Sequence, residues 1–314
     1  MLLLMNSCSE TSSPDLEWLG DEVAVRFTAT MQPSVEILPT RAMIDTLPTN
    51  GSENRVGIYG LLTGSKNREK SETFEWEVGT NVNFHQEMVN KQYLLKVGNT
   101  LSPANGKVDY HPSRGTSALA VYAYWPYNSE IDDDGYIPVN IEAQQDLLYT
   151  GKVLSIVNEK TNSFDPVKLT FKHAMGAVAF RFYNEDPNLE VTSLQLFTSY
   201  SIGDVKLNLA TGECEGDSLG GFYTVDLNCK IGTEDTAPIC GHTMLPAGEG
   251  LDITGIKLRY NDKEDVYCDL QHDPIELIAG KITVLNINCK KKAGTTPQLI
   301  VDKTGNASSE LPPL

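Results

Sequence analysis

The histidines and clustered acids of this sequence lack the spacing of catalytic or metal sites. The histidines lie far apart, and no two are four residues apart as in a zinc-binding helix; they are His85, His111, His173, His242 and His272. No phosphate-binding loop and no dinucleotide-binding glycine motif is present. His173 lies within a strand-like run, which favours a structural role. We predict no catalytic residue, no metal site and no cofactor, and hence a protein that is not an enzyme.

The acidic run Asp132–Asp134, followed by Gly135, is the segment most similar to a calcium-binding loop. The loops of calcium-binding EF-hands alternate their ligands with other residues, and this run does not. We interpret it as an exposed hairpin turn. A hydrolase built on two facing carboxylates is the enzymatic alternative, because the chain has 42 acidic residues whose spatial arrangement the sequence does not give.

Cys8 is the candidate modification site. The preceding residues, Leu4–Ser7, resemble the end of a bacterial lipoprotein signal, and the polar residues that follow resemble a tether. The alternative is an incidental cysteine near a frayed terminus. The apolar stretch is shorter than a secretory signal, so acylation with palmitate would place the start inside a longer signal sequence. A lipid anchor would hold the protein on the outer membrane without spanning it.

Five further cysteines lie in the C-terminal half, at Cys214, Cys229, Cys240, Cys268 and Cys289. Their spacing matches no zinc site and no redox motif. An exported protein could form disulfides from them, but the sequence leaves their pairing open.

The charge of the chain excludes several classes of partner. The formal net charge is −17 and the isoelectric point is near 4.7. Nucleic-acid binding needs clustered Lys and Arg, so we expect no nucleic-acid partner. Electrostatic attachment to anionic lipid is excluded for the same reason.

Alternation of apolar and polar residues with a period of two dominates the chain and predicts an all-β fold. Turn residues separate the alternating runs, and the long helices of a parallel α/β fold are missing. The predicted strands cover residues 23–29, 55–62, 118–124, 167–171, 177–183, 191–197, 204–209, 222–227, 252–260 and 281–289. Strands at this spacing are typical of β-sandwiches.

A polar stretch at residues 158–166 predicts the domain boundary. We expect a signal remnant with lipidation site and tether at 1–20, and one β-sandwich at 21–165. A second β-sandwich is expected at 166–292, followed by a tail at 293–314.

The aromatic residues allow two interpretations, a glycan-binding platform or a buried core. They are Trp18, Trp76, Trp125, Tyr122, Tyr124 and Tyr127. Tyr122 and Tyr124 share one face of a predicted strand, which favours the core.

Several segments, taken in order, resemble the fimbrillin family, the pilin-like surface lipoproteins of Bacteroidetes-type bacteria. The resemblance covers about residues 20–290. Its segments are residues 39–42 (PTRA), 56–59 (VGIY), 120–127 (AVYAYWPY), 145–149 (QDLLY), 169–175 (LTFKHAM) leading into 177–182, 244–246 (MLP) and 279–281 (AGK).

This resemblance implies two transthyretin-like β-sandwiches, export as a lipoprotein, and assembly into fimbriae that support adhesion. In polymerising members an arginine-specific protease cuts the loop after the first strand. The next subunit's C-terminal segment then fills the groove. Strand addition is physically reasonable, because it restores both backbone hydrogen bonds and apolar contacts.

The resemblance assigns roles to particular residues of this chain. The removable first strand would bury Val23, Val25 and Phe27, and the cut would fall at Arg41. Arg26 and Arg55 are competing sites, but each lies in or beside a predicted strand. Arg41 could also be a loop arginine without a role.

The donor segment would be Leu299, Ile300 and Val301, the one apolar run of the tail. The expected partners are other fimbrial subunits, identical or sibling, together with a host or bacterial surface ligand. The alternative function is a non-polymerising, lipid-anchored surface protein that binds a glycan or host ligand.

Overall fold

The structure is a computed structural model that describes residues 23–32, 43–44, 46–80, 84–85, 88–112, 117–131, 134–158, 163–183, 190–234, 236–261, 265–290 and 298–305. In the first half the elements are β1 (Phe27–Met31), β2 (Arg55–Leu62), α1 (Arg68–Glu72), β3 (Lys91–Lys96), β4 (Thr100–Pro103), β5 (Leu119–Trp125), β6 (Tyr136–Pro138), β7 (Leu148–Tyr149), β8 (Val153–Ser155), β9 (Val157–Asn158), β10 (Ser163–Phe164) and β11 (Val167–His173).

In the second half, the elements within the described residues are all strands. They are β12 (Met175–Tyr183), β13 (Glu190–Thr198), β14 (Lys206–Asn208), β15 (Cys214–Glu215), β16 (Gly221–Lys230), β17 (Ile239–Pro246), β18 (Asp252–Tyr260), β19 (Asp265–Asp269), β20 (Ile275–Glu276), β21 (Ile282–Lys290) and β22 (Gln298–Gly305). The prediction of an all-β protein is confirmed. In the part of the chain that the structure describes, no helix is long and apolar enough to cross a membrane.

The first half is a barrel-like closed sheet rather than the predicted sandwich of two sheets. Its strands follow the order β2-β3-β4-β1-β11-β7-β5, with β8 beside β5. Since β5 also pairs with β2 from Leu119↔Leu62 to Tyr124↔Gly57, the path of seven strands returns to its start. A closed sheet leaves fewer exposed strand edges than an open one.

The glycine of the Val-Gly-Ile-Tyr segment has a packing role in this barrel. The ring of Tyr124 lies directly over Gly57, and a Cβ atom on Gly57 would overlap it. Tyr124 is fully buried and packs near Tyr59, with ring centroids 6.4 Å apart. Trp76, Trp125 and Tyr122 are also buried, so the core interpretation of these aromatic residues is confirmed.

The second half contains two large sheets around a common core, while its strands β14 and β15 form a third sheet with β6 of the first half. One sheet has the order β17-β12-β21-β22, and the other has the order β16-β13-β18-β19 with β20 on β18. Phe180 on β12 and Leu194 on β13 are fully buried in the same apolar cluster. A disulfide joins Cys229 on β16 to Cys240 on β17, and so links the two sheets.

The boundary predicted between residues 165 and 166 needs correction. β11 starts at Val167 but pairs in parallel with β1, from Phe27↔Val167 to Met31↔Phe171, so it completes the first sheet. The second half begins with β12 at Met175, one residue after β11 ends. The polar stretch at 158–166, which includes the short strand β10, therefore belongs to the first half.

Candidate functional site

The first strand lies between two neighbours whose backbones hold it on both edges. β1 pairs in parallel with β11 over five residues and antiparallel with β4 at Phe27↔Leu101 and Thr28↔Thr100. Beyond the β4 ladder, the Ala29 amide donates to the Asn99 carbonyl at 2.9 Å. Removing β1 would leave a groove with unpaired N–H and C=O groups along both edges.

The strand itself is displaced from its predicted position. The sequence predicts residues 23–29, and the ladder spans Phe27–Met31. Residues 23–25 instead contact residues 109–111, which we call the clamp. Ala24 forms an isolated bridge with Tyr110. The Val25 amide donates to the Asp109 carbonyl at 2.8 Å, and the His111 amide donates to the Val23 carbonyl at 2.8 Å.

The side chains of the strand fill the barrel core. Val25 is 6% exposed, Phe27 is 2% exposed and Ala29 is 1% exposed. Val23 is half-buried. The Phe27 ring meets the ring of Tyr93 edge to face, with centroids 5.2 Å apart. An emptied groove would expose apolar surface as well as backbone, so both properties of an acceptor groove are present.

A buried ion pair involves Asp109, a residue of the clamp. The Lys91 Nζ atom lies 2.6 Å from Asp109 Oδ1 and also donates to the Lys107 carbonyl at 3.1 Å. The Tyr93 hydroxyl donates to the other carboxylate oxygen of Asp109. Burial, together with the Asp109 charge, raises the pKa of Tyr93 well above its usual value. Sequence periodicity gave no signal for this cluster, because Asp109 lies in a polar run.

A second buried pair anchors the chain shortly after the position of Arg41 in the sequence. The Ile44 amide donates to Asp146 Oδ2 at 3.2 Å, and His173 Nδ1 lies 2.8 Å from the same oxygen. Burial raises the pKa of Asp146, and the interaction with His173 opposes that rise. Met43 is buried in the core. The chain is thus held in the core both before residue 33, by β1, and after residue 42, by Met43–Ile44.

The tail is already paired within its own chain. β22 pairs antiparallel with β21 from Gln298↔Lys290 to Gly305↔Thr283. Val301 is half-buried and packs against the main core. The predicted donor residues Leu299, Ile300 and Val301 therefore form an edge strand of the second half.

Cys8 and Arg41 lie outside the described residues. Of the competing cleavage sites, Arg26 lies in the segment that leads into β1, and its carbonyl accepts from the Val167 amide at 2.7 Å. Arg55 is the first residue of β2. Both backbones are engaged in the barrel, so neither offers a protease an extended loop.

Two further chemical possibilities are addressed by the described residues. Within them, no three His, Cys, Asp or Glu side chains are grouped closely enough to hold a metal ion. Residues 216–220 (GDSLG) match the Gly-x-Ser-x-Gly pattern of hydrolases. That segment runs from β15 directly into strand β16, whereas a nucleophile elbow joins a strand to a helix.

The clamp makes the docking of the first strand sensitive to acid. His111 is buried, its ring stacks on Phe164 at 3.7 Å, and its Nδ1 atom lies 3.1 Å from the Ser155 hydroxyl. Burial, with smaller contributions from the neighbouring charges of His85 and Arg26, lowers the pKa of His111 to about 4. In the unfolded chain the pKa of histidine is about 6.5.

Between pH 6.5 and pH 4 the unfolded state therefore binds more protons than the folded state. We expect the free energy of unfolding to fall by up to about 3 kcal/mol over this range. In His111→Phe the free energy of unfolding should change less steeply with pH. His272→Phe, which alters an exposed ring, should leave this pH dependence unchanged. Denaturant titrations at several pH values measure the slope, and equal slopes in wild type and His111→Phe would contradict this prediction.

The described chain is thus nearly all β, with a closed sheet in its first half and an N-terminal strand that is paired on both edges. The sequence matches the family described as Fimbrillin-like over residues 40–303. This match covers most of the chain, so the chain belongs to the fimbrillin-like family, and the resemblance found in the sequence is confirmed. A comparison with proteins of curated function finds no match.

Solved structures from Bacteroides and Porphyromonas species are similar to this chain. A protein of Bacteroides ovatus described as a cell adhesion protein has a TM-score of 0.54 at 13% identity, covering 91% of this chain and 98% of its own. One from Bacteroides uniformis with the same description has a TM-score of 0.52 at 15% identity, covering 90% and 97%. The fimbrial anchor protein Mfa2 of Porphyromonas gingivalis has a TM-score of 0.46 at 11% identity, covering 90% and 96%. At these identities the likeness concerns the fold.

Proposed function

We propose that this protein is a fimbrial subunit or fimbria-associated surface lipoprotein that accepts a strand from another subunit after its own first strand is removed. It would be anchored to the outer membrane through acylated Cys8 and would support adhesion without enzymatic activity. The observation that carries the proposal is the position of β1. It is paired on both edges, its side chains fill the core, and Arg41 follows it by ten residues in the sequence.

The side chains of β1 define what the groove would accept. The inward positions of β1 and of the segment that leads into it hold a medium, a large and a small apolar residue, Val25, Phe27 and Ala29. Alternate residues of an incoming strand would occupy these positions. A donor that follows the direction of β1 would run parallel to β11 and antiparallel to β4.

The chain's own tail fits this groove poorly. Every second residue of the tail gives either Leu299, Val301 and Lys303, or Gln298, Ile300 and Asp302. Neither series supplies three apolar residues, and the tail would also have to leave β21. We therefore propose a sibling subunit as the donor to this groove, and β22 as a donor to a different acceptor. We propose a transthyretin-like β-sandwich for the second half only, because the sheet of the first half is closed.

Cleavage at Arg41 tests the acceptor half of the proposal. An arginine-specific protease should shorten the folded wild-type chain at residue 41, and the product should assemble with a sibling subunit into ladders on an unheated gel. Arg41→Lys keeps the charge but removes the cleavage site, so this variant should stay intact and monomeric. N-terminal sequencing of the product identifies the cut.

Deletion of residues 294–314 should yield a chain that is still cleaved and still accepts a strand, but no longer donates one. A tail-deleted chain that forms homopolymers after cleavage would refute the donor role of the tail. A wild-type chain that is cut at Arg41 yet joins no sibling subunit would refute the strand-exchange proposal, and would favour a lipid-anchored binding protein.

A further inference from the structure

An exposed group of aromatic rings lies on the outer face of the β16-β13-β18-β19 sheet. Phe222 is 58% exposed and Tyr267 is 52% exposed. Phe197, on the central strand between them, is half-buried. Its ring centroid lies 6.2 Å from that of Phe222 and 5.4 Å from that of Tyr267. We call these three residues the aromatic platform.

The strand register explains how the three rings come together. Phe197 lies opposite Phe222 on one side and opposite Gly255 on the other. Tyr267 lies on the adjacent strand β19, opposite Lys257, and its ring covers Gly255, two residues before Lys257. A Cβ atom on Gly255 would lie 2.6 Å from the Tyr267 hydroxyl, so a residue other than glycine would displace the ring. The missing side chain makes room for a continuous aromatic surface.

A polar cleft adjoins the aromatic platform on the same face. It encloses about 120 Å³ and is lined by Ser193, Gln195, Thr224, Lys257, Arg259 and Asp265. Gln195 precedes Phe197 by two positions on its strand, and Thr224 follows Phe222 by two. Each polar residue therefore lies about 7 Å from a platform residue along the strand. Rings and hydrogen-bonding groups therefore stand side by side.

Ion pairs fix the far side of the cleft. Arg259 contacts Asp265 through two bonds, Nε to Oδ1 at 2.8 Å and Nη2 to Oδ2 at 3.1 Å. Lys257 Nζ lies 2.9 Å from Asp265 Oδ2. The arrangement holds donors and acceptors in one plane with defined spacing. Two adjacent hydroxyl groups of a ligand could bridge such a pair.

We propose that the aromatic platform and the polar cleft bind a neutral oligosaccharide. One face of a pyranose ring carries C–H groups that stack on an aromatic ring, and its hydroxyl groups both donate and accept hydrogen bonds. This side of the β-sheet offers both aromatic rings and hydrogen-bonding groups, about one sugar unit apart. The site lies on the second half, away from β1, and the inference does not depend on the strand-exchange proposal.

Charge and size favour a neutral oligosaccharide over a protein or an anionic ligand. Asp265 faces both cations of the cleft, and the exposed Asp226 and Asp269 lie on adjoining strand positions, so no excess positive charge remains. The chain as a whole carries −17, which repels anions. Stable protein interfaces use about 20–30 residues on each side. The platform and cleft together provide far fewer.

An array of immobilised neutral oligosaccharides, with sialylated and sulfated ones alongside, tests the proposal on the full chain. We expect the wild type to bind at least one neutral oligosaccharide. Tyr267→Ala and Phe222→Ala should each weaken binding by about tenfold or more, because each removes one stacking ring. Tyr267→Phe keeps the ring and should retain most of the affinity. Val97→Ala, which truncates an 88% exposed apolar side chain on the barrel, is the matched control.

Because Phe222 and Tyr267 are more than half exposed, their truncation should leave the melting temperature nearly unchanged, which circular dichroism verifies. Absence of binding to every neutral oligosaccharide would overturn the proposal. Binding that both ring variants retain would overturn it as well. A wild-type dimer that Phe222→Ala dissociates in sedimentation experiments would identify the platform as a protein interface instead. Arg41→Lys should bind like the wild type, so failure of strand exchange and failure of sugar binding are distinguishable.

Discussion

Phe27→Asp should lower the free energy of unfolding of the intact chain by at least about 3–5 kcal/mol. Phe27 is 2% exposed, and its ring contacts Tyr93 inside the barrel. Truncation of a buried phenylalanine accounts for the lower figure, and a carboxylate without a partner at that position adds a desolvation cost. Thermal and denaturant unfolding followed by circular dichroism measure the change.

Thr30→Asp is the matched control for this variant. Thr30 lies on the same strand and pairs with Thr170, but its side chain is exposed. Introducing a carboxylate there should change stability by less than about 0.5 kcal/mol. If the two aspartate variants melt together at the wild-type temperature, the first strand is not docked in the barrel and the acceptor groove does not exist.

Asp109→Ala should also destabilise the chain, by about 3–5 kcal/mol, because it leaves the buried Lys91 ammonium group without its counter-charge. The side chains of Lys91 and Asp109 are 6% and 3% exposed. The variant also removes the acceptor of the Tyr93 hydroxyl. Alanine keeps the carbonyl that accepts from the Val25 amide, but loss of the side-chain bonds to Lys91 and Tyr93 that position the clamp should loosen residues 23–25. Faster amide exchange at Val25 would report this loosening.

Glu72→Ala supplies the comparison with an exposed ion pair. Arg68 Nη1 lies 3.6 Å from Glu72 Oε1, and both side chains are more than half exposed. Water screens such a pair, so its removal should cost less than about 1 kcal/mol. Equal effects of the two substitutions would show that the Lys91–Asp109 pair is not buried in solution.

The local pattern of the sequence was sufficient to predict ten of the twenty-two described strands, among them eight of the ten that have seven or more residues. In a half-buried strand alternate side chains face the core, as Val167, Leu169 and Phe171 do in β11, and this alternation can be read from the sequence itself. The two-residue strands, such as β7 and β20, are too short to show any period. Helix α1 was not predicted, because five polar residues give no apolar stripe.

The candidate site was only partly accessible to sequence reasoning. The buried residues Val25 and Phe27 follow from alternation. The place of Arg41 in a loop stays a prediction, because residues 33–42 lie outside the described part of the chain. The clamp did not follow, since residues 109–111 contact the first strand across more than eighty positions of the chain. The aromatic platform did not follow either, because it draws its rings from three separate strands.

The sequence by itself determined the β-rich character of the chain, the family and the acidic surface, because each depends on composition or on residues close together in the chain. The tertiary structure alone decided that the first sheet closes through β2 and β5, that β11 joins the first half, and that β22 pairs with β21. These outcomes depend on backbone hydrogen bonds between distant segments. Every strand offers the same N–H and C=O groups, so the choice of partner is made by the packing of the whole core and not by local sequence.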